Sequence, residues 1–222
     1  MKRRIMAVYR RLHAAHGPQH WWPGDSPFEI MVGAVLTQNT AWTNVVKAIA
    51  NLKAAKALSA EAIAAAPHRR LAAWLKPSGY FNIKAQRLHA FCVWLIRKGG
   101  TKRIARLPTE VLRGELLQVH GIGPETADDI LLYAFNRPVF VIDAYTRRLF
   151  QRLGLIQGDE GYETLRSLFE KSLAKDTRLF NEYHALIVAH AKDFCRKRPL
   201  CNACSLGPLC PSRELSKTIG HR

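Results

Sequence analysis

Leu117-Gln118-Val119-His120-Gly121-Ile122-Gly123-Pro124-Glu125-Thr126-Ala127 reads as the end of one helix, a tight glycine hairpin and the start of a second helix. Gly121 and Gly123 permit positive φ values and a close backbone approach. Pro124 suits the first turn of a helix, and the free amides around it can face an anion such as a phosphate. A glycine-x-glycine turn standing alone is more often a plain connection. Its sequel adds weight: Val141-Ile142-Asp143-Ala144-Tyr145-Thr146-Arg147-Arg148 sets an acid at the end of an apolar run, where a helix begins. Asp143 can cap that helix, and an ionised carboxylate can also stabilise a developing positive charge. The two roles are compatible.

Outward from the hairpin, apolar residues recur at helical rather than alternating spacing in Phe28 to Leu36, Val45 to Leu52, Ala60 to Ala66, Ala85 to Arg97 and Tyr183 to Phe194. Gly and Pro separate these segments at Gly17-Pro18, Pro23-Gly24, Pro77-Ser78-Gly79, Gly99-Gly100 and Gly121 to Pro124. The fold class is therefore all-α. Val139 to Ile142 is the strongest strand-like run, but it is short and leads into helical-looking Ala144 to Leu153, so a buried, extended lead-in is expected.

Lys and Arg total 34 against 17 Asp and Glu, a formal charge of +17, while 48% of residues are hydrophobic. A chain with that composition folds and meets a polyanion. Nucleic acid is favoured over a membrane, since no lipidation signal or spanning apolar run occurs. No secretory signal is read in the N-terminal segment, and a cytoplasmic location is expected.

Cys195, Cys201, Cys204 and Cys210 form C-x5-C-x2-C-x5-C. Four closely spaced thiols in such a chain point to a metal centre rather than disulfides, and both zinc and a four-iron cluster suit four thiolates. Cys92, in a helical segment, reads as core. Arg196, Lys197 and Arg198 lie between the first two of the four cysteines, where they could meet phosphates.

The hairpin, the proline-containing loop before Asp143 and Asp143 itself resemble the helix-hairpin-helix, glycine/proline-rich loop and aspartate signature of the endonuclease III superfamily of DNA glycosylases. His20-Trp21-Trp22-Pro23, Phe28-Glu29, Gly33-Ala34-Val35-Leu36-Thr37-Gln38-Asn39-Thr40 and Trp42 are similar to the 3-methyladenine glycosylases within it, as are Pro77-Ser78-Gly79-Tyr80 and Lys84-Ala85-x-Arg87-Leu88. The resemblance implies two helical lobes: a barrel-like one over 23–137 with the hairpin, and a second from 1–22 plus 138–222 with an iron-sulfur loop.

It also implies a base-excision DNA glycosylase acting as a monomer on double-stranded DNA with damaged bases, with Asp143 catalytic. Trp21, Trp22 and Trp42 would line the base pocket, and Gln38 would fill the gap left by the flipped base. Gly121, Gly123, Glu125 and Thr126 would lie at a phosphate, with a monovalent cation at the hairpin, and Arg196, Lys197 and Arg198 would add DNA contacts. The four cysteines would hold a [4Fe-4S] cluster, although the family's first spacing is one residue longer. Bifunctional relatives carry a Schiff-base lysine where this chain has Glu125, and a carboxylate forms no imine. The expectation is a monofunctional hydrolase for alkylated purines. The alternatives are a bifunctional glycosylase and lyase for oxidised pyrimidines, or a non-enzymatic DNA-binding or redox-sensing protein.

Overall fold

The computed structural model describes residues 1–21 and 24–213. Among the described residues there are twelve α-helices and no strand, in agreement with the all-α reading. In chain order they are α1 (Lys2–His16), α2 (Pro27–Leu36), α3 (Trp42–Ala54), α4 (Ala60–Ala65), α5 (His68–Leu75), α6 (Phe81–Arg97), α7 (Thr101–Ile104), α8 (Thr109–Leu117), α9 (Pro124–Asp129), α10 (Ala144–Arg152), α11 (Tyr162–Ser172) and α12 (Thr177–Asp193). None of them is long and apolar enough to cross a membrane. The chain divides into two compact units, Trp22–Arg137 and Met1–Trp21 with Pro138–Arg222.

In the first unit α2 is buried around most of its circumference, with Ile30, Met31, Val32, Val35 and Leu36 all in the core. Ser26 starts it by accepting the Glu29 N–H, and Pro27 occupies the first turn. Its far end is held by a buried cation: Lys84 of α6 donates to Leu36 O at 2.8 Å and to Ser78 O at 2.6 Å. Burial, with Arg87 nearby, lowers the Lys84 pKa to about 8. The ammonium thus sits on carbonyls that the helix terminus leaves without intrahelical partners. Cys92 is fully buried in α6, as its helical setting implies.

Helices α8 and α9 flank the glycine hairpin. Buried Arg113 of α8 and Asp128 of α9 pair through two hydrogen bonds, at 2.7 and 3.2 Å, and so join the two helices. After Asp129 the chain continues as a buried π-helical turn over Ile130–Ala134. Arg137 then donates to Ala105 O at 2.6 Å.

The second unit is built around aromatic rings. Phe140 stacks on Phe169 with centroids 4.5 Å apart, Phe150 meets Phe169 edge-on at 4.7 Å, and Phe180 meets Phe140 at 5.4 Å. Buried Tyr183 of α12 donates its hydroxyl to Ile5 O at 2.7 Å. That bond ties down α1, a helix absent from the sequence reading. Its buried residues Ile5, Val8 and Leu12 share one face, and the basic residues between them, which break the apolar run in sequence, are placed elsewhere around the helix. Helix α12 likewise begins six residues earlier than its apolar pattern suggests, because Asp176 caps it through the Arg178 and Leu179 amides.

Phe140→Ala is expected to lower the unfolding free energy by about 3–5 kcal/mol, as a ring lost from a packed core does. Phe140→Leu should cost less. Urea denaturation followed by far-UV circular dichroism measures both.

Candidate functional site

Val139, Phe140, Val141 and Ile142 are buried and form neither helix nor strand. Without sheet partners their amides need other acceptors. The Phe140 N–H donates to Glu170 Oε1 at 3.0 Å, and the Ile142 N–H points at the Tyr162 hydroxyl at 3.4 Å. This pinned segment delivers Asp143 to the N-terminus of α10 in extended conformation, at φ −98° and ψ 179°. Asp143 Oδ1 accepts the Thr146 N–H at 2.7 Å, so the residue does cap its helix.

The second carboxylate oxygen, Oδ2, lies 3.5 Å from Nε2 of His184 on α12. Burial pushes the Asp143 pKa up, but His184 and the Thr146 amide outweigh it and hold the carboxyl below its ordinary value. The group is therefore an anion at neutral pH despite being only 8% exposed. Trp21 stacks on His184, its ring 5.9 Å from the imidazole with 17° between planes. Sequence reasoning singled out Asp143 and Trp21 but not His184. A histidine inside the apolar stretch Tyr183 to Ala191 gives no signal of its own, because helical spacing makes it look like core.

The hairpin in the other unit is braced by the TQNT segment. Gln38 Nε2 donates to Gly121 O and to Thr126 Oγ1, each at 3.0 Å, while Arg87 of α6 donates to Gln38 Oε1. Gln38 thus fixes the hairpin from one side. The two glycines differ. Gly121 has φ +85°, and an added Cβ would collide with the Arg87 side chain. Gly123, which could also have taken a positive φ, is extended at φ −91° and ψ 177°, and nothing lies within 4 Å of a Cβ built there. Gly123, Pro124 and Glu125 are exposed, and Glu125 stands in the first turn of α9.

Trp42 belongs to the same unit as the hairpin. It opens α3, and its ring lies so close to Gly33 that a Cβ there would stand 3.1 Å from it. Gly24, Glu29, Val46 and Lys53 share a surface cavity of about 270 Å³ with it. Trp22, the third expected pocket residue, lies outside the described residues.

Cys195, Cys201, Cys204 and Cys210 all line one cavity of about 70 Å³, together with Leu149, Leu153, Phe194 and Leu206. Among the described residues no three His, Cys, Asp or Glu side chains converge to hold a single metal ion. Burial raises the Cys204 and Cys210 thiol pKa values, which favours their neutral thiols. Helix α10 also organises this region. Arg148 donates to Cys195 O at 2.8 Å, and Arg152 donates to Cys195 Sγ at 3.3 Å, Arg196 O at 2.6 Å and Lys197 O at 3.0 Å. The Arg196, Lys197 and Arg198 side chains remain exposed on a loop whose backbone is thus fixed.

Comparison with known proteins gives the family of this all-helical chain, with its braced glycine hairpin and its buried aspartate at a helix start. The HhH-GPD superfamily of base excision DNA repair proteins matches residues 32–175. The chain is 44% identical over 212 residues to a Methanocaldococcus jannaschii protein assigned as a DNA repair glycosylase, covering 94% of this chain and 96% of that one. It is similar to the solved Helicobacter pylori 3-methyladenine DNA glycosylase (MagIII) bound to 1,N6-ethenoadenine, with TM-score 0.73 and 30% identity over 85% of this chain and 97% of that one. It also shares its fold, at 22% identity and TM-score 0.85, with endonuclease III in a non-covalent DNA complex, covering 98% and 99% of the two chains. The protein belongs to the HhH-GPD superfamily and is a base-excision-repair DNA glycosylase.

Gly121→Ala is expected to weaken binding to any duplex about tenfold or more and to lower the melting temperature, because the new Cβ displaces Arg87 and strains the backbone. Gly123→Ala should leave the melting temperature nearly unchanged. Fluorescence anisotropy with labelled duplex and thermal scans of both variants check the contrast.

Proposed function

We propose that this glycosylase is a monofunctional hydrolase that releases alkylated purines such as 3-methyladenine from double-stranded DNA, with Asp143 as its catalytic carboxylate. The observation that carries the reading is the buried carboxylate kept ionised beside His184, on whose ring Trp21 stacks. An N-alkylated purine carries positive charge, so the C1′–N bond breaks with its electron pair leaving on the base and no strong acid is needed at the base. The sugar becomes oxocarbenium-like, and Asp143 stabilises that charge and accepts a proton from the attacking water. Indole faces attract a cationic base, whose extrusion from the duplex costs roughly a few kcal/mol, and in this reading Trp21, Trp22 and Trp42 are the residues that would supply them. The likeness to the Helicobacter pylori enzyme supports this substrate class.

Glu125 stands where the bifunctional relatives carry a Schiff-base lysine and cannot take part in that chemistry. In this reading the hairpin residues Gly121, Gly123, Glu125 and Thr126 would lie at a phosphate, Thr126 from a buried position, with Gln38 at the lesion gap and Arg196, Lys197 and Arg198 on the backbone. Val119 O and Gly121 O each accept one hydrogen bond and keep a second lone pair, so both could hold a monovalent cation that neutralises the phosphate. The reading includes a monomeric enzyme, with the acid, the hairpin and the cysteines all on one chain.

The cysteine cavity fits a [4Fe-4S] cluster. Four thiols spread around an apolar hollow suit a cubane better than one tetrahedral zinc, which needs all four sulfurs at about 2.3 Å from a single point. Cys195, Cys201, Cys204 and Cys210 would hold it. The cluster would act as a structural cross-link that keeps the Arg196 to Arg198 loop ordered for phosphate contact.

Asp143→Asn keeps the cap and removes the charge. It is expected to slow base release from methylated duplex at least about a hundredfold while DNA affinity and melting temperature stay near wild type. Full activity in that variant would overturn the reading, and strong borohydride trapping of the wild-type protein on DNA would replace hydrolysis with lyase chemistry. Separately, Cys204→Ala is expected to lose bound iron and visible absorbance and to weaken DNA binding, whereas Cys92→Ala keeps both. Iron analysis and duplex titration measure this.

A further inference from the structure

We propose that His184 is the positioning residue for Asp143: its Nε2 faces the Oδ2 oxygen across 3.5 Å while its ring, stacked with Trp21, links the carboxylate to a proposed base-binding aromatic. This rests on the catalytic reading of Asp143. A capping carboxylate needs one oxygen, and Oδ1 on the Thr146 amide already serves. A histidine at Oδ2 adds nothing to the cap. Yet His184 is 4% exposed on a helix whose neighbouring residues Phe180, Tyr183, Leu186 and Ile187 are all buried and carbon-rich. An imidazole in that setting carries a desolvation cost that an apolar residue would avoid.

The shape of the contact explains the choice of side chain. Imidazole presents a nitrogen at its edge and a flat face at right angles to that edge. Here the edge faces Oδ2 across 3.5 Å, a separation of the kind that shortens when substrate closes a site. The face is within 17° of parallel to the Trp21 indole. One ring therefore registers both the acid and a proposed base-binding aromatic, and a shift of either is felt by the other. The groups acting on Asp143 are His184 from α12 and Thr146 from its own helix. The cations nearest in sequence are turned elsewhere: Arg147 donates to Glu160 O at 2.7 Å, and Arg148 to Cys195 O and Ala191 O. Trp21, from the N-terminal segment, is uncharged.

Substitutions separate the two functions of the ring. His184→Phe keeps a flat face and loses the nitrogen, while His184→Asn keeps an N–H donor and loses the stack. Without the nitrogen, burial dominates at Asp143 and its pKa rises. Because the ionised form is the active one, activity is lost as pH falls through that pKa, so the acid limb of the rate profile must move to higher pH.

The test is single-turnover release of methylated purine from dimethyl-sulfate-treated duplex as a function of pH, with duplex affinity and melting temperature recorded for each variant. His184→Phe is expected to lose about tenfold or more in rate at neutral pH with its acid limb displaced upward by about one unit or more, and duplex affinity near wild type. His184→Asn is expected to return the limb toward the wild-type position. A wild-type rate and pH profile in His184→Phe, in the same assay in which Asp143→Asn is inactive, overturns the role of His184 alone. Full activity in Asp143→Asn overturns the catalytic reading instead. Should His184→Phe not fold, the acid limb of His184→Asn decides: near wild type it supports the proposal, and displaced upward it overturns it.

Discussion

The burial of Phe140 governs the second unit. Its ring sits among Phe169, Phe180 and Tyr183, and its own backbone is held by Glu170 rather than by a strand. A non-helical segment in a helical protein stays in place only when its amides are satisfied and its side chains fill a core. Both conditions hold from Val139 to Ile142, and what they place is Asp143. The acid's position is thus set by packing behind it. Its charge is set by what surrounds it, because burial raises its pKa and His184 and Thr146 outweigh that effect.

Helix α10 carries the consequences of that start along its length. Asp143 caps one end, and Arg148 and Arg152, four residues apart and so on the same face, reach Cys195 and the carbonyls of the basic loop. The proposed cluster and the proposed acid therefore share one rigid element. In the Trp22–Arg137 unit the corresponding device is the contact of Gln38 with Gly121 and Thr126, with Arg87 behind it. A loop of glycines is entropically costly to order, and these side chains hold it before any DNA arrives.

Much of the fold was legible because amphipathic periodicity is a local property. Segments such as Phe28 to Leu36 and Ala85 to Arg97 are helices within a few residues of their expected bounds. Caps and chain entries were less legible. The start of α12 depends on Asp176, outside the apolar pattern, and α1 was obscured by the basic residues that alternate with its buried face. Gly123 shows the limit at single-residue scale: a glycine in a hairpin suggests positive φ, but the chain direction set by Pro124 and α9 makes it extended.

The sequence by itself determined the helical class, the hairpin, the acid at a helix start and the cysteine quartet, because each is written in residues close together along the chain. Tertiary structure alone decided the partners. His184 meets Asp143 from 41 positions away, and the Gln38 amide finds Gly121 from 83 positions away. Such contacts form where packing brings distant helices together, and no local pattern records them. Whether a carboxylate in a helix cap is only a cap depends on the field and the dielectric around it, and those belong to the folded neighbourhood rather than to the residue.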